Sequence, residues 1–125
     1  MIVIHIGLKK SGSASIQSFL AANEDGLRRL GIDYPSVGRL GRKAHHNLAW
    51  EVSGRRKFDA KYGSVSQLAD YWREAHAKAM IISSEMFEEC ETAQVARLRD
   101  GLRRGTEPFR IVLVIRDLLD IMPSS

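Results

Sequence analysis

The stretch that decides the fold is MIVIHIGLKKSGSASIQ, residues 1–17. It opens with a short run of mostly β-branched residues, Ile2 to Ile6, which is typical of a buried parallel strand. Gly7 ends this run, and the small polar residues that follow it are those of a turn. From Ser15 the apolar residues recur at the period of a helix, so the sequence predicts a strand, a turn and a helix in direct succession.

The rest of the chain continues the alternation of apolar strands and amphipathic helices. The helix from Ser15 is expected to stop at Gly31, and a second helix is expected to resume near Ser66. The inward-facing residues predicted for these two helices are Ile16, Phe19, Leu20, Leu27, Leu30, Leu68, Tyr71, Trp72 and Ala75. Further strands are predicted at residues 32–35, 79–82 and 109–115, and further helices at residues 46–52 and 92–104.

This alternation predicts one α/β domain over residues 1–125, built as a three-layer parallel sheet flanked by helices and similar to the P-loop NTPases. The hydrophobic fraction of 44% and the charged fraction of 27% are those of a globular protein. The net charge of +4 suits an anionic ligand. Because the basic residues are scattered, however, nucleic acid is not an expected partner.

Cysteine content and the amino-terminal residues bear on the compartment. Cys90 is the single cysteine, so no intrachain disulfide is possible, and no metal cluster is suggested. The apolar start, Met1 to Leu8, lacks a basic flank and is too short for a signal peptide or a membrane span. A cytoplasmic location is therefore expected.

Three polar segments follow predicted strands, at the edge of the sheet where parallel α/β proteins bind ligands. They are residues 10–15, 83–85 and 116–117. The first has the features of an anion site, because a helix begins there and its first N–H groups lack partners. Gly7 and Gly12 have the spacing of a Walker A loop, but Ser13 stands where that loop requires lysine, which disfavours an ATPase or a kinase.

The run from His5 to Gln17 resembles the amino-terminal signature of the sulfotransferase family, H-x-G-x-x-K-T-G-T-T-S-x-Q. Lys10, Gly12, Ser15 and Gln17 match it directly, Ser11 and Ser13 keep the hydroxyl of a threonine, and Ala14 lacks that hydroxyl. The resemblance implies a P-loop-like fold and 3′-phosphoadenosine 5′-phosphosulfate as the sulfuryl donor, with no metal. It also implies that the loop Ser11, Gly12, Ser13, Ala14 and Ser15 holds the 5′-phosphosulfate, while Lys10 stabilises the leaving phosphate.

The same family holds the 3′-phosphate of the donor with an arginine after a strand and a serine eight residues later. Arg116 follows the apolar run 111–115, and Ser124 lies eight residues further on. Arginine offers a planar fork that binds phosphate through two hydrogen bonds, which agrees with this role. Arg116 and Ser124 are therefore expected to complete the nucleotide site.

Sulfuryl transfer to a hydroxyl or an amine needs a base for the acceptor proton. Family members use a glutamate or a histidine, and the candidates here are Glu85, His45 and His46. Glu85 follows a predicted strand, and its alternative role is at the start of a helix capped by Ser83 or Ser84. The sequence does not decide between the three candidates, whereas His5, inside the first strand, is expected to be structural.

Family domains run to roughly twice this length, so the chain is expected to be the amino-terminal part of a longer domain. The acceptor and the oligomeric state are left open. The alternative functions are a P-loop nucleotide or small-molecule kinase, and a non-catalytic anion-binding domain. A kinase would need Mg²⁺ and a lysine after Gly12, whereas a binding domain would bind the nucleotide without transferring a group.

Overall fold

The computed structural model describes residues 1–7, 13–41 and 43–114, and within this range the side chains of Ser13, Ala14 and Val114 are left aside. Its strands are β1 (Ile2–Gly7), β2 (Ile32–Asp33), β3 (Ala79–Ser83) and β4 (Phe109–Val114). Its α-helices are α1 (Ser13–Ala22), α2 (Glu24–Arg29), α3 (His46–Ser53), α4 (Val65–Glu74) and α5 (Thr92–Leu102). Short 3₁₀ helices span Ala60–Tyr62 and Glu85–Glu89.

The described strands form one parallel sheet in the order β2-β3-β1-β4. In the register of β1 with β3, Ile2 lies beside Met80 and His5 lies beside Ser83. The prediction of an α/β fold with a parallel sheet flanked by helices is confirmed. Among the described strands β4 is at one edge, and its residues Ile111 to Leu113 are exposed.

The main core lies on one face of this sheet. Ile2, Ile4 and Ile6 alternate along β1 and point to this face, together with Met80 and Ile82 of β3. The helices α3, α4 and α5 supply the apolar side chains that cover them, which are Leu48, Ala49, Leu68, Ala69, Trp72, Leu98 and Leu102. Burial of this set excludes water from a continuous apolar layer, which is the main stabilising contribution to such a fold.

The opposite face near the end of β1 is polar. His5 and Ser83 alternate with the core residues, so their side chains point away from that core. Gln17 of α1 contacts Ser83 there. From β1 the chain crosses β3 to reach β2, returns to the adjacent β3, and then crosses β1 to reach β4. Because the first and last crossovers run in opposite directions, right-handed connections place α1 and α5 on opposite faces of the sheet. Such a reversal opens a crevice beyond the carboxyl ends of β1 and β3.

Two predictions about the first helical region are wrong, one of them in part. The single helix is divided into α1 and α2 at Asn23, whose side-chain amide donates to the carbonyl oxygen of Phe19 at 2.8 Å. The predicted apolar stripe is buried at Leu20, which is 9% exposed, and partly buried at Leu27, whereas Ile16, Phe19 and Leu30 are 37%, 61% and 74% exposed. The reason is that α1 lies against a polar part of the sheet, so that Gln17 occupies the buried position.

The other elements agree more closely with the sequence prediction. Gly31 ends the first helical region at a φ of 84°, which confirms the expected stop. Helix α4 begins at a capping box in which Ser64 and Gln67 exchange side-chain and backbone hydrogen bonds. Tyr71 is the exception on this helix, since it is 36% exposed and donates a hydrogen bond to Asp33. Among the described residues, no helix is long and apolar enough to cross a bilayer.

Candidate functional site

A cluster of polar side chains occupies the crevice beyond β1 and β3. It comes from five elements: β1, α1, α3, the end of β3 and the 3₁₀ helix that follows it. Its members, called the crevice cluster below, are His5, Gln17, His46, Ser83, Ser84 and Glu85. Residues far apart in sequence therefore meet at the edge of the sheet where the sequence predicts a ligand site.

Ser83 connects β1, α1 and β3 within this cluster. Its hydroxyl oxygen lies 2.6 Å from Nδ1 of His5 and accepts a hydrogen bond of 3.1 Å from Nε2 of Gln17. A serine hydroxyl has one O–H and two acceptor lone pairs, so it can accept from Gln17 and form a hydrogen bond with His5 Nδ1 at the same time. Ser83 is fully buried, so these bonds satisfy a hydroxyl that has no access to water.

His5 has one satisfied and one unsatisfied nitrogen. Nε2 is buried and has no hydrogen-bond partner among the described residues. The expectation of a structural histidine therefore holds at Nδ1, whereas Nε2 is a buried polar atom that still lacks a partner. Burial lowers the pKa of His5, and the nearby Glu85 carboxylate opposes this effect.

Gln17 lies in the second turn of α1 and is only 3% exposed. Its Nε2 donates to Ser83 Oγ at 3.1 Å and to Glu85 Oε2 at 3.0 Å. A side-chain amide carries two N–H groups, so both bonds can form together. Gln17 thereby connects the helix that follows the glycine turn to the carboxylate that follows β3.

His46 begins α3 and faces Glu85 across the crevice. Its Nδ1 lies 2.7 Å from Ser84 Oγ, and its Nε2 lies 3.6 Å from Glu85 Oε1. Ser84 also accepts a hydrogen bond from the backbone N–H of Met86. Because an ionised carboxylate only accepts hydrogen bonds, the Glu85 side of the ring favours the tautomer with the proton on Nε2. The 3.6 Å separation is longer than a hydrogen bond and leaves an electrostatic contact.

Solvent access distinguishes this pair from the rest of the cluster. The side chains of His46 and Glu85 are 21% and 24% exposed, whereas Ser83 and Ser84 are fully buried. Burial lowers the pKa of His46, and the Glu85 carboxylate acts in the opposite direction. A neutral imidazole beside a partly exposed carboxylate can orient that carboxylate or exchange a proton with it.

His45 is held by the fold on both ring nitrogens. Nε2 donates to the carbonyl oxygen of Pro35 at 2.7 Å, and Nδ1 accepts from the backbone N–H of Ser83 at 3.0 Å. The side chain is fully buried, and burial lowers the pKa of His45 to about 3. Neither nitrogen is open to a proton from a substrate, so the structure gives His45 a structural role.

The structure also shows the alternative role of Glu85, at the start of a helix that a serine caps. Ser84 precedes the 3₁₀ helix Glu85–Glu89, and its hydroxyl accepts from the N–H of Met86 at 3.0 Å. Glu85 thus stands at the first position of that helix, as the capping alternative predicted. The two roles are compatible, because the backbone position of Glu85 leaves its carboxylate directed to Gln17 and His46.

Gly7 ends β1 and Ser13 begins α1, and the glycine turn that the sequence predicts falls between them. Three of the predicted loop residues, Lys10, Ser11 and Gly12, are outside the described residues, as are Arg116 and Ser124. Ser13, Ala14 and Ser15 form the first turn of α1, and Ser15 is exposed. That turn contains no acidic residue, so no carboxylate there offsets the partial positive charge of the helix amino terminus.

Sequence reasoning missed the contacts that join the cluster. The sequence identifies Gln17 only as part of the motif, and it places Ser83 and Ser84 in a polar segment at the ligand-binding edge or as caps beside Glu85. The signal available for Gln17 was a polar residue between Ile16 and Phe19 on a helix expected to be amphipathic. No spacing rule could have joined His46 to Glu85, because their contact depends on how α3 packs beside the end of β3.

Compared with known proteins, the chain matches no family model, and neither a curated protein nor a solved structure resembles it significantly. Among the described residues, no group of three or more potential ligands could hold a metal ion. The geometry of the crevice cluster is therefore the basis for the functional proposal.

Proposed function

We propose that this chain is a sulfotransferase domain with a P-loop-like fold, which moves a sulfuryl group from 3′-phosphoadenosine 5′-phosphosulfate to a hydroxyl or an amine. The single observation that supports this best is the crevice cluster. It joins the helix after the glycine turn to a carboxylate and an imidazole at the edge of a parallel sheet. A group-transfer site needs an anion-binding part and a proton acceptor close together, and the link from the carboxylate to the helix after the predicted glycine turn supports such a site.

The donor part of the proposed site is the turn between β1 and α1. A strand followed by a predicted glycine turn and a helix amino terminus suits an anion, and α1 carries no acidic residue in its first turn. The buried Nε2 of His5, two residues before Gly7, is a further polar atom without a partner among the described residues. Lys10, Arg116 and Ser124 would bind the donor's phosphates, as the sequence signature implies.

The proposed base is Glu85. Its Oε2 accepts from Gln17, and its Oε1 lies beside the protonated nitrogen of His46, so the carboxylate has an orientation and remains 24% exposed. Glu85 would take the proton of the acceptor while the acceptor atom forms a bond to sulfur. The bond between sulfur and the phosphate oxygen breaks in the same step, and Lys10 would balance the charge that develops on the phosphate.

His46 is assigned a supporting part in this proposal. Its Nδ1 is engaged by Ser84, and its Nε2–H points to Glu85 Oε1, so it has no free lone pair for a substrate proton in this tautomer. In this tautomer it orients the carboxylate through Nε2–H. His45 takes no part in the chemistry, because both of its nitrogens are engaged by backbone groups.

Isothermal titration calorimetry tests this proposal by comparing 3′-phosphoadenosine 5′-phosphate with ATP plus Mg²⁺. The unaltered chain should bind the first and not require the metal. Lys10→Ala and Arg116→Ala should each weaken binding by about 10- to 100-fold, because each removes a charged hydrogen bond to phosphate.

Lys9→Ala and Arg110→Ala are matched controls for that experiment. Lys9 is adjacent to Lys10 but outside the motif, and Arg110 is an exposed arginine of β4. Both controls should bind the nucleotide like the unaltered chain. A preference for ATP with Mg²⁺, or equal binding by the Arg116 and Arg110 variants, would contradict the proposal. Binding without any sulfuryl transfer would point to a non-catalytic anion-binding domain.

A further inference from the structure

We infer that Gln17 is a positioning residue, whose side-chain amide holds the Glu85 carboxylate beside His46 and thereby ties that carboxylate to helix α1. The role of Glu85 as a base rests on the proposed function. The positioning contact does not, because it can be measured in the protein without any ligand.

The side chain of Gln17 is buried. Gln17 is 3% exposed although it lies on a helix whose neighbours Ile16 and Phe19 are exposed at 37% and 61%. A buried side-chain amide that lacks partners costs free energy, so a polar residue in this position needs hydrogen bonds within the fold. Both bonds that it donates go to the end of β3, to Ser83 at 3.1 Å and to Glu85 at 3.0 Å.

The contact of Glu85 with His46 is weaker than its hydrogen bond from Gln17. His46 Nε2 lies 3.6 Å from Oε1, which is too far for a good hydrogen bond. Among the described residues, the side chain that donates a hydrogen bond to Glu85 is Gln17. Without this amide the carboxylate, which is 24% exposed, would be free to rotate into solvent.

Gln17 connects helix α1 to the carboxylate of Glu85. It lies one turn after Ser13, where α1 begins, and α1 follows the glycine turn directly. The side chain of Gln17 connects α1 to Glu85, and its second partner, Ser83, is bonded to His5 of β1. Gln17 therefore sets the position of the carboxylate relative to the proposed donor loop.

His46 reports on this geometry, because its titration responds to the charge of Glu85. The titratable groups near the pair include His45 before α3, His5 on β1 and Tyr34; burial lowers the pKa of the two histidines and raises that of Tyr34. Both histidines stay neutral near pH 7, so the charged neighbour that changes between the variants below is Glu85 alone.

The experiment is an NMR titration of the His46 ring in the unaltered chain, in Gln17→Met and in Glu85→Gln. Glu85→Gln removes the negative charge and should lower the midpoint of His46 by about one pH unit. Gln17→Met keeps the volume but removes the donor, and it should lower the midpoint in the same direction by at least half as much. Ser18→Ala on the same helix is the control and should titrate like the unaltered chain.

An unchanged His46 midpoint in Gln17→Met, together with a shift in Glu85→Gln, would overturn the inference. If Gln17→Met does not fold, the unaltered chain still provides a test. The side-chain amide resonances of Gln17 should follow the protonation of Glu85, and this dependence should vanish in Glu85→Gln. Amide resonances that ignore the carboxylate would overturn the inference equally.

The catalytic consequence is tested separately. In a sulfuryl-transfer assay Gln17→Met should lower kcat by about 10-fold or more while the KM for the donor stays within a factor of two, because a misplaced base affects the chemical step. Absence of transfer in the unaltered chain would contradict the proposed function and leave the titration result intact. A failed titration would contradict the positioning role and leave the nucleotide-binding result intact.

Discussion

At the scale of single residues, His45 does the most to hold the site in place. Its ring Nε2 donates to the carbonyl oxygen of Pro35, and its ring Nδ1 accepts from the backbone N–H of Ser83. The backbone N–H of His45 donates to the carbonyl oxygen of Ser83 at 2.7 Å. The ring also meets Tyr34 edge to face at 4.9 Å. Because His46 is the next residue, these contacts determine where His46 stands relative to Glu85.

The burial of His45 predicts a loss of stability in mild acid. Its pKa is about 3 in the folded chain and 6.5 when exposed, so the unfolded chain takes up the proton first. The stabilising contribution is complete above pH 6.5 and is lost as the pH falls toward 3. Between pH 7.5 and 5.5 the free energy of unfolding should fall by about 1.4 kcal/mol for this one group.

Urea denaturation at the two pH values measures this effect. His5 and His46 also have lowered pKa values and add to it, so the comparison must be made between variants. His45→Gln should be less stable at pH 7.5 but less sensitive to acid, whereas His76→Gln, at an exposed site, should keep the sensitivity of the unaltered chain. Equal acid sensitivity in all three proteins would contradict the structural role of His45.

At the scale of elements, the segment between β2 and α4 closes around two glycines. The N–H of Gly38 donates to the carbonyl oxygen of Tyr62 at 2.7 Å, and the Asn47 side chain donates to the carbonyl oxygen of Gly63 at 2.8 Å. Asn47 follows His46 in α3, so this close approach of loop and helix also supports the crevice cluster.

Gly63 and Gly54 distinguish the cost of an unfavourable backbone conformation from the cost of a steric clash. Gly63 has a φ of 107°, and a Cβ there would lie 2.6 Å from Val37 Cγ1 and 2.7 Å from the backbone nitrogen of Gly38. Gly54, at the end of α3, has a φ of 72° and open space around it. Gly54→Ala should cost about 1 kcal/mol from conformation alone, and Gly63→Ala should cost at least twice that amount.

Thermal unfolding of the two variants provides the measurement. Both proteins should still unfold in one transition, with the larger decrease in Tm for Gly63→Ala. A decrease for Gly54→Ala that equals or exceeds it would mean that the loop can move aside, and the packed segment described here would be wrong.

Elements differed in how well their sequences predicted them. The strands at residues 79–82 and 109–115 were predicted because apolar runs between turns leave few alternatives, and β3 and β4 cover nearly those bounds. For helix α1 the predicted buried face is right at Leu20 but wrong at Ile16 and Phe19, because periodicity assumes an apolar partner. Its partner is the polar end of β1 and β3, and no pattern within the helix reveals that.

At the scale of the whole molecule, the strand order β2-β3-β1-β4 explains why the polar residues meet. The sequence predicted the edge of the sheet at which Gly7 and Glu85 lie, because polar segments followed two apolar strands. It did not predict that β1 and β3 are neighbours, which depends on the packing of α3, α4 and α5 against one face. The bridge from Gln17 to Glu85 follows only from that pairing.

The central claim is that the crevice beyond β1 and β3 binds an adenosine nucleotide that carries phosphates at the 3′ and 5′ positions. The most direct measurement is a ¹⁵N NMR titration of the chain with 3′-phosphoadenosine 5′-phosphate. The largest shift changes among the described residues should fall on Gly7, Ser15, Gln17 and Ser83. Absence of saturable changes, or changes confined to the cleft that Phe87, Val95 and Arg103 line on the other face of the sheet, would contradict it.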